Sequence, residues 1–103
     1  MDQEVIDELE HLLVAEPVDE DYPDLRIVAA RVSDTPGSPV CVDVTWDCRG
    51  STGDFSRPFA SDEVQILANP AYDGTALAFA TWVRTELSEH ISELIVAGAI
   101  PSR

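Results

Sequence analysis

Residues 75–97, TALAFATWVRTELSEHISELIVA, read as a single amphipathic helix, and that reading decides the fold. Ala76, Phe79, Ala80, Val83, Leu87, Ile91 and Leu94 recur at three- and four-residue steps, which places them on one face of a 3.6-residue period. Thr81, Arg84, Thr85, Ser88, Glu89, Ser92 and Glu93 fill the opposite face, so one side is built for a core and the other for water. At about 1.5 Å per residue the helix runs roughly 34 Å, enough to cross a domain of this size once. Thr75 is placed to cap its start and Gly98 to end it, and Pro101 blocks continuation. The remaining elements must cover this stripe.

Upstream, residues 2–16 carry a second helical stripe in Val5, Ile6, Leu9, Leu12 and Leu13, ended by Pro17. Residues 17–24, PVDEDYPD, hold two prolines and four acids and predict an extended, solvated connector. Residues 25–32, LRIVAARV, predict a strand, and SDTPGSP (residues 33–39) is dense in turn formers. The clearest strand follows: Val40, Val42, Val44, Trp46 and Cys48 alternate with Cys41, Asp43, Thr45 and Asp47. That alternation puts one face in a core and one in water, as an antiparallel sheet covered on one side requires. RGSTG (residues 49–53) predicts a turn, and residues 54–60 a third strand with Phe55 and Phe59 inward and Pro58 at an edge. Ser61 is expected to cap a short helix with Asp62 and Glu63 in its first turn and Val64, Ile66 and Leu67 as its apolar side. Asn69-Pro70 and Asp73-Gly74 then lead into the long helix.

The expected fold is therefore α+β, a two-layer sandwich of order α-β-β-β-α-α. A three-stranded antiparallel β-meander carries the N-terminal and long C-terminal helices on one face. A chain of 103 residues is expected to form one domain, 1–103, with an acidic helix (1–16), an acidic connector (17–24), the meander (25–60) and a helical C-terminal part (61–98). The element order is similar to that of double-stranded-RNA-binding domains, but the basic residues that contact RNA phosphates there are absent here.

Charge is the extreme property. Twenty Asp and Glu against six Arg and no Lys give a net charge of -14. Ten of the acids and none of the arginines fall in residues 1–24, so the excess is concentrated at the N-terminal end. Such a surface repels phosphates and anionic lipid, which argues against direct binding of nucleic acid or membrane. No apolar run approaches the ~20 residues of a membrane span, and Met-Asp-Gln-Glu is the opposite of a basic signal-peptide start. A cytoplasmic protein is expected. Cys41 and Cys48 fall seven residues apart on one strand, on opposite faces and roughly 23 Å apart at about 3.3 Å per residue, so they are expected to stay reduced.

Catalytic constellations do not assemble from these spacings. Glu8 and His11 form one E-x-x-H step, and Glu86, Glu89, His90 and Glu93 cluster near the C-terminus, but a di-iron bundle needs two such steps and two further Glu-bearing helices. Cys48 beside Arg49 has no histidine nearby in sequence, and RGSTG lacks the Lys of a phosphate loop. No enzyme, cofactor or metal is expected. Trp46 and Trp82 read as core residues, and Tyr22 and Tyr72 as loop residues among acids.

Two functions fit this pattern. In the first, the chain is an acidic protein-binding module, with Glu4, Asp7 and Glu8 on the first helix and Asp19, Glu20, Asp21 and Tyr22 in the connector as the partner-binding set. Carboxylates about 6 Å apart along a helix face imitate the charge of nucleic-acid phosphates. The partner would be a basic protein or the basic patch of a nucleoprotein complex, and the module a nucleic-acid mimic that inhibits it, as a phage-type inhibitor of restriction or CRISPR machinery does. In the second, the acidity is solvent or salt adaptation in a small structural or assembly protein, for example of a phage.

Overall fold

The structure is a computed structural model and describes residues 3–67 and 75–101. Its elements are α1 (Gln3–Ala15), β1 (Arg26–Ser33), β2 (Val40–Cys48), β3 (Ser51–Phe59), α2 (Ser61–Leu67) and α3 (Thr75–Val96). The strands form one antiparallel sheet in the order β1-β2-β3, and the fold is the mixed α+β arrangement α-β-β-β-α-α that the sequence predicts. The expected breaks at Asn69-Pro70 and Asp73-Gly74, the cap at Thr75, loop residue Tyr72 and the side chains of Ile66 and Leu67 lie outside the described residues.

One apolar layer joins the sheet to the helices. Val40, Val42, Val44, Trp46 and Cys48 are all buried, while the residues between them on β2 are only half-buried. Ile6, Leu9 and Leu13 of α1 and Ala76, Phe79, Ala80, Val83, Leu87 and Ile91 of α3 close over that face. Burial of each such aliphatic side chain is worth about 1.5–3 kcal/mol, so this shared layer dominates the stability. Among the described residues no polar or charged side chain is fully buried.

Turn chemistry fixes the register. Ser38 N–H donates to Thr35 O at 3.0 Å across Pro36-Gly37, with Gly37 at φ +83°, a turn with Pro and Gly in their preferred places. The second hairpin is tighter than RGSTG suggests. Cys48 pairs with Ser51, leaving only Arg49 (φ 53°) and Gly50 (φ 81°) in the turn, so β3 begins at Ser51 rather than Asp54. Positive φ at both positions is what a two-residue hairpin needs to match strand twist. Arg49 tolerates it because its side chain is anchored, donating to Asp24 at 2.7 Å and to Pro101 O at 2.9 Å.

β1 contains a bulge. Ile27 pairs with Trp46 but Ala29 pairs with Thr45, which leaves Val28 as an extra residue. The bulge shifts the alternation by one, turning Ala30 and Val32 to the core and Arg31 to solvent. An unbulged continuation from Ile27 would bury Arg31 instead. α1 lies along β1, where Glu10 accepts Val32 N–H at 2.8 Å.

The helix ends differ from one another. α3 closes with Gly98 at φ +82°, Gly98 N–H to Ile95 O and Ala99 N–H to Leu94 O, and the turn delivers buried Ile100 back to the core. At α2 the cap position falls on Ala60 rather than Ser61: Ala60 O accepts Val64 N–H while Glu63 accepts Ala60 N–H at 3.0 Å. No helix among the described residues is long and apolar enough to cross a membrane.

Candidate functional site

The seven residues expected to meet a partner separate into three groups. Glu4, Asp7 and Glu8 are exposed on α1, on the side away from buried Ile6, Leu9 and Leu13. Gln3 donates to Asp7 at 2.9 Å, and His11 is exposed one turn further on. In the connector, Glu20 and Asp21 are exposed, whereas Asp19 is half-buried and accepts Asp21 N–H at 2.9 Å.

Tyr22 departs most from the expectation. The connector is folded into turns rather than extended, with Tyr22 N–H bonded to Asp19 O and Leu25 N–H to Tyr22 O. Its ring packs on the core and its hydroxyl shares a 2.5 Å hydrogen bond with Ser92 of α3. Tyr22 ties the connector to α3, and the acids around it stay outside. Ser92, read from sequence as solvent-facing, is correspondingly half-buried.

The arginines explain why the acidity is undiluted. Arg49 is held by Asp24 and Pro101 O. Arg84, also read as solvent-facing, is half-buried and donates to Leu12 O at 2.7 Å, a second donor to a carbonyl near the end of α1 that also accepts Glu16 N–H at 3.1 Å. Burial pushes its pKa down from the usual arginine value. Arg57 sits on the core side of β3 between Phe55 and Phe59. Its guanidinium bonds Glu63 of α2 at 2.7 Å, bonds Glu86 of α3, and lies over the rings of Phe59 (4.6 Å) and Trp82 (5.6 Å). Only Arg26 and Arg31 among the described arginines are exposed, both on β1.

Arg57 belongs to a ladder between β3 and α3. Phe59 meets Trp82 at 6.3 Å, Arg57 meets Glu86, and Phe55 meets His90 at 5.3 Å. Alternate residues of a strand advance about 6.6 Å and four residues of a helix about 6 Å, so the rungs stay in step. Trp82, expected in the core, is 41% exposed at the rim of this ladder.

Arg57, and then the Ala60 N–H, hold the Glu63 carboxyl below the usual carboxylate range; Arg49 does the same for Asp24. Burial first, and nearby carboxylates second, push the Cys41 and Cys48 thiols up, the reverse of what a reactive thiolate needs. Both cysteines are free, on opposite faces of β2. The two histidine clusters seen in sequence are not brought together: His11 is on the outside of α1, and His90 lies against Phe55. Among the described residues no three His, Cys, Asp or Glu side chains are grouped to hold a metal ion.

Fold and surface together define a small α+β domain whose helical layer presents carboxylates. Compared with known proteins, the chain matches no family model, no curated protein and no solved structure.

Proposed function

We propose that the chain is a non-enzymatic, cytoplasmic protein-binding module that docks its acidic α1 face on a basic surface, acting as a nucleic-acid-mimicking inhibitor of a nucleic-acid-binding protein or complex. The observation that carries this reading is the exposure of Glu4, Asp7 and Glu8 on a helix that contains no arginine, while Arg49, Arg57 and Arg84 are engaged in internal contacts. Closely spaced carboxylates cost a few tenths of a kcal/mol per like pair on a helix, a cost that a basic partner would relieve. Glu20 and Asp21 extend the charge into the connector. Replacing Glu4, Asp7 and Glu8 by their amides tests the reading: affinity for the partner and its dependence on salt both fall, and unchanged affinity contradicts it.

One observation favours the second reading, a structural or assembly protein with an acidic, salt-adapted surface. Exposed or half-exposed acids also stand on the outer face of the sheet (Asp43, Asp47, Asp54) and along α3 (Glu89, Glu93). A salt-adapted chain loses its helices below molar salt, whereas a binding module stays folded at physiological salt and loses only its partner as salt rises.

A further inference from the structure

We infer that α3 carries the anchor of the docking surface: a shallow depression of about 380 Å³ lined by Thr81, Trp82, Thr85, Glu86 and Glu89, which receives an arginine or lysine side chain from a basic segment of a partner protein. This inference rests on the reading of the chain as an acidic binder and names the place where binding energy concentrates.

The walls suit an aliphatic stem with a cationic head. Thr81 and Thr85 turn their hydroxyls into their own helix, donating to Leu77 O at 2.8 Å and Thr81 O at 2.9 Å. Their methyl groups, with the exposed indole of Trp82, make an apolar floor. Glu86 and Glu89 stand at one end, and Glu89 is fully on the surface.

The same indole and carboxylate already bind one guanidinium. On the inner side, Arg57 lies 5.6 Å from the Trp82 ring and bonds Glu86. Arg57 does not neutralise the site, because it is already shared between Glu63 and Glu86, and Glu89 stands exposed in the lining in addition. A tryptophan beside an excess of carboxylate favours a cation over an anion or an apolar group. Tryptophan is also the residue type most enriched where truncation costs an interface most. The fixed charges of α1 steer the partner, and the Trp82 depression holds it.

The test uses the full chain and a short fluorescein-labelled peptide of alternating arginine and glycine, with affinity read by anisotropy at low salt. Trp82→Ala weakens binding about tenfold or more. Glu89→Gln, which touches nothing that holds the fold, weakens it about two- to fivefold. Asp54→Asn removes the same charge from the far side of the sheet and leaves affinity unchanged. Circular dichroism establishes that each variant is folded. Equal weakening by Glu89→Gln and Asp54→Asn, with no effect of Trp82→Ala, overturns the inference in favour of net charge alone. Failure of the folded wild type to bind the peptide also overturns it, as does self-association that Trp82→Ala abolishes, which assigns the face to a second copy. Weakening by the α1 amides but not by Trp82→Ala overturns the anchor while leaving the acidic-binder reading standing.

Discussion

Gly53 stands directly across from Trp46, and the indole lies over its backbone. A Cβ added there would sit 2.6 Å from Trp46 Cζ2 and 2.9 Å from Cε2. Trp46 is 4% exposed and cannot swing into solvent without leaving the core. Gly53→Ala should therefore cost about 1–3 kcal/mol in urea unfolding. The cost should shrink in a Trp46→Leu background, where the clash is gone; an unchanged cost in that double variant contradicts this packing. The sequence shows two glycines in RGSTG, but not that Gly50 serves the turn and Gly53 the tryptophan, because the pairing of Gly53 with Trp46 depends on a two-residue loop. Tyr22 teaches the same lesson. Acids on both sides made it look exposed, yet its partner, Ser92, is 70 positions away. Tyr22→Phe should lose about 1 kcal/mol by urea unfolding.

At the scale of elements, α2 is held to the body through Glu63, which bonds Arg57 of β3 and the Ala60 N–H at its own N-terminus. The folded state lowers the Glu63 and Asp24 pKa values, so as pH falls the unfolded chain takes up protons first. Their contribution to stability is thus present above the ordinary carboxylate range and lost as pH drops through the folded values. Unfolding midpoints should decline below about pH 5, and Glu63→Gln should flatten that limb; a variant with an unaltered acid profile contradicts the linkage. Period-two reading placed Phe55 and Phe59 inward, and by the same period Arg57 between them faces inward too. What the strand alone cannot supply is Glu86, which reaches Arg57 only because the rungs of β3 and α3 keep step. The α1, β2 and α3 stripes were legible because buried apolar residues recur at the helix or strand period along each. The β1 bulge was not, because Val28 and Ala29 suit either phase of a strand.

For the whole molecule, the sequence gives net charge, and the structure adds that the arginines inside the fold leave carboxylates on the outside. Self-repulsion of a chain with net charge -14 weakens as salt screens it. Stability should rise modestly between about 0.01 and 0.15 M salt and then level off, with the helical signal intact throughout. Unfolding at physiological salt would contradict a binding module and support salt adaptation. The acid excess of residues 1–24 was readable directly, and among the described residues Glu4, Asp7, Glu8, Glu16, Glu20, Asp21 and Asp24 are exposed while Glu10 and Asp19 are half-buried. The exposure of Trp82 was not, since helical spacing puts it at the border of the apolar stripe, where packing against Phe59 and Arg57 decides how much remains open.

Affinity capture from an extract of the cells that encode the protein would test the acidic-docking reading most directly. It would compare the wild-type chain with the chain bearing amides at Glu4, Asp7 and Glu8, at about 0.1 M and about 0.5 M salt. Docking through α1 predicts a stoichiometric basic protein on the wild type at low salt, absent at high salt and absent from the variant. A folded wild type that captures nothing, or a partner retained equally by the variant and at high salt, would contradict it.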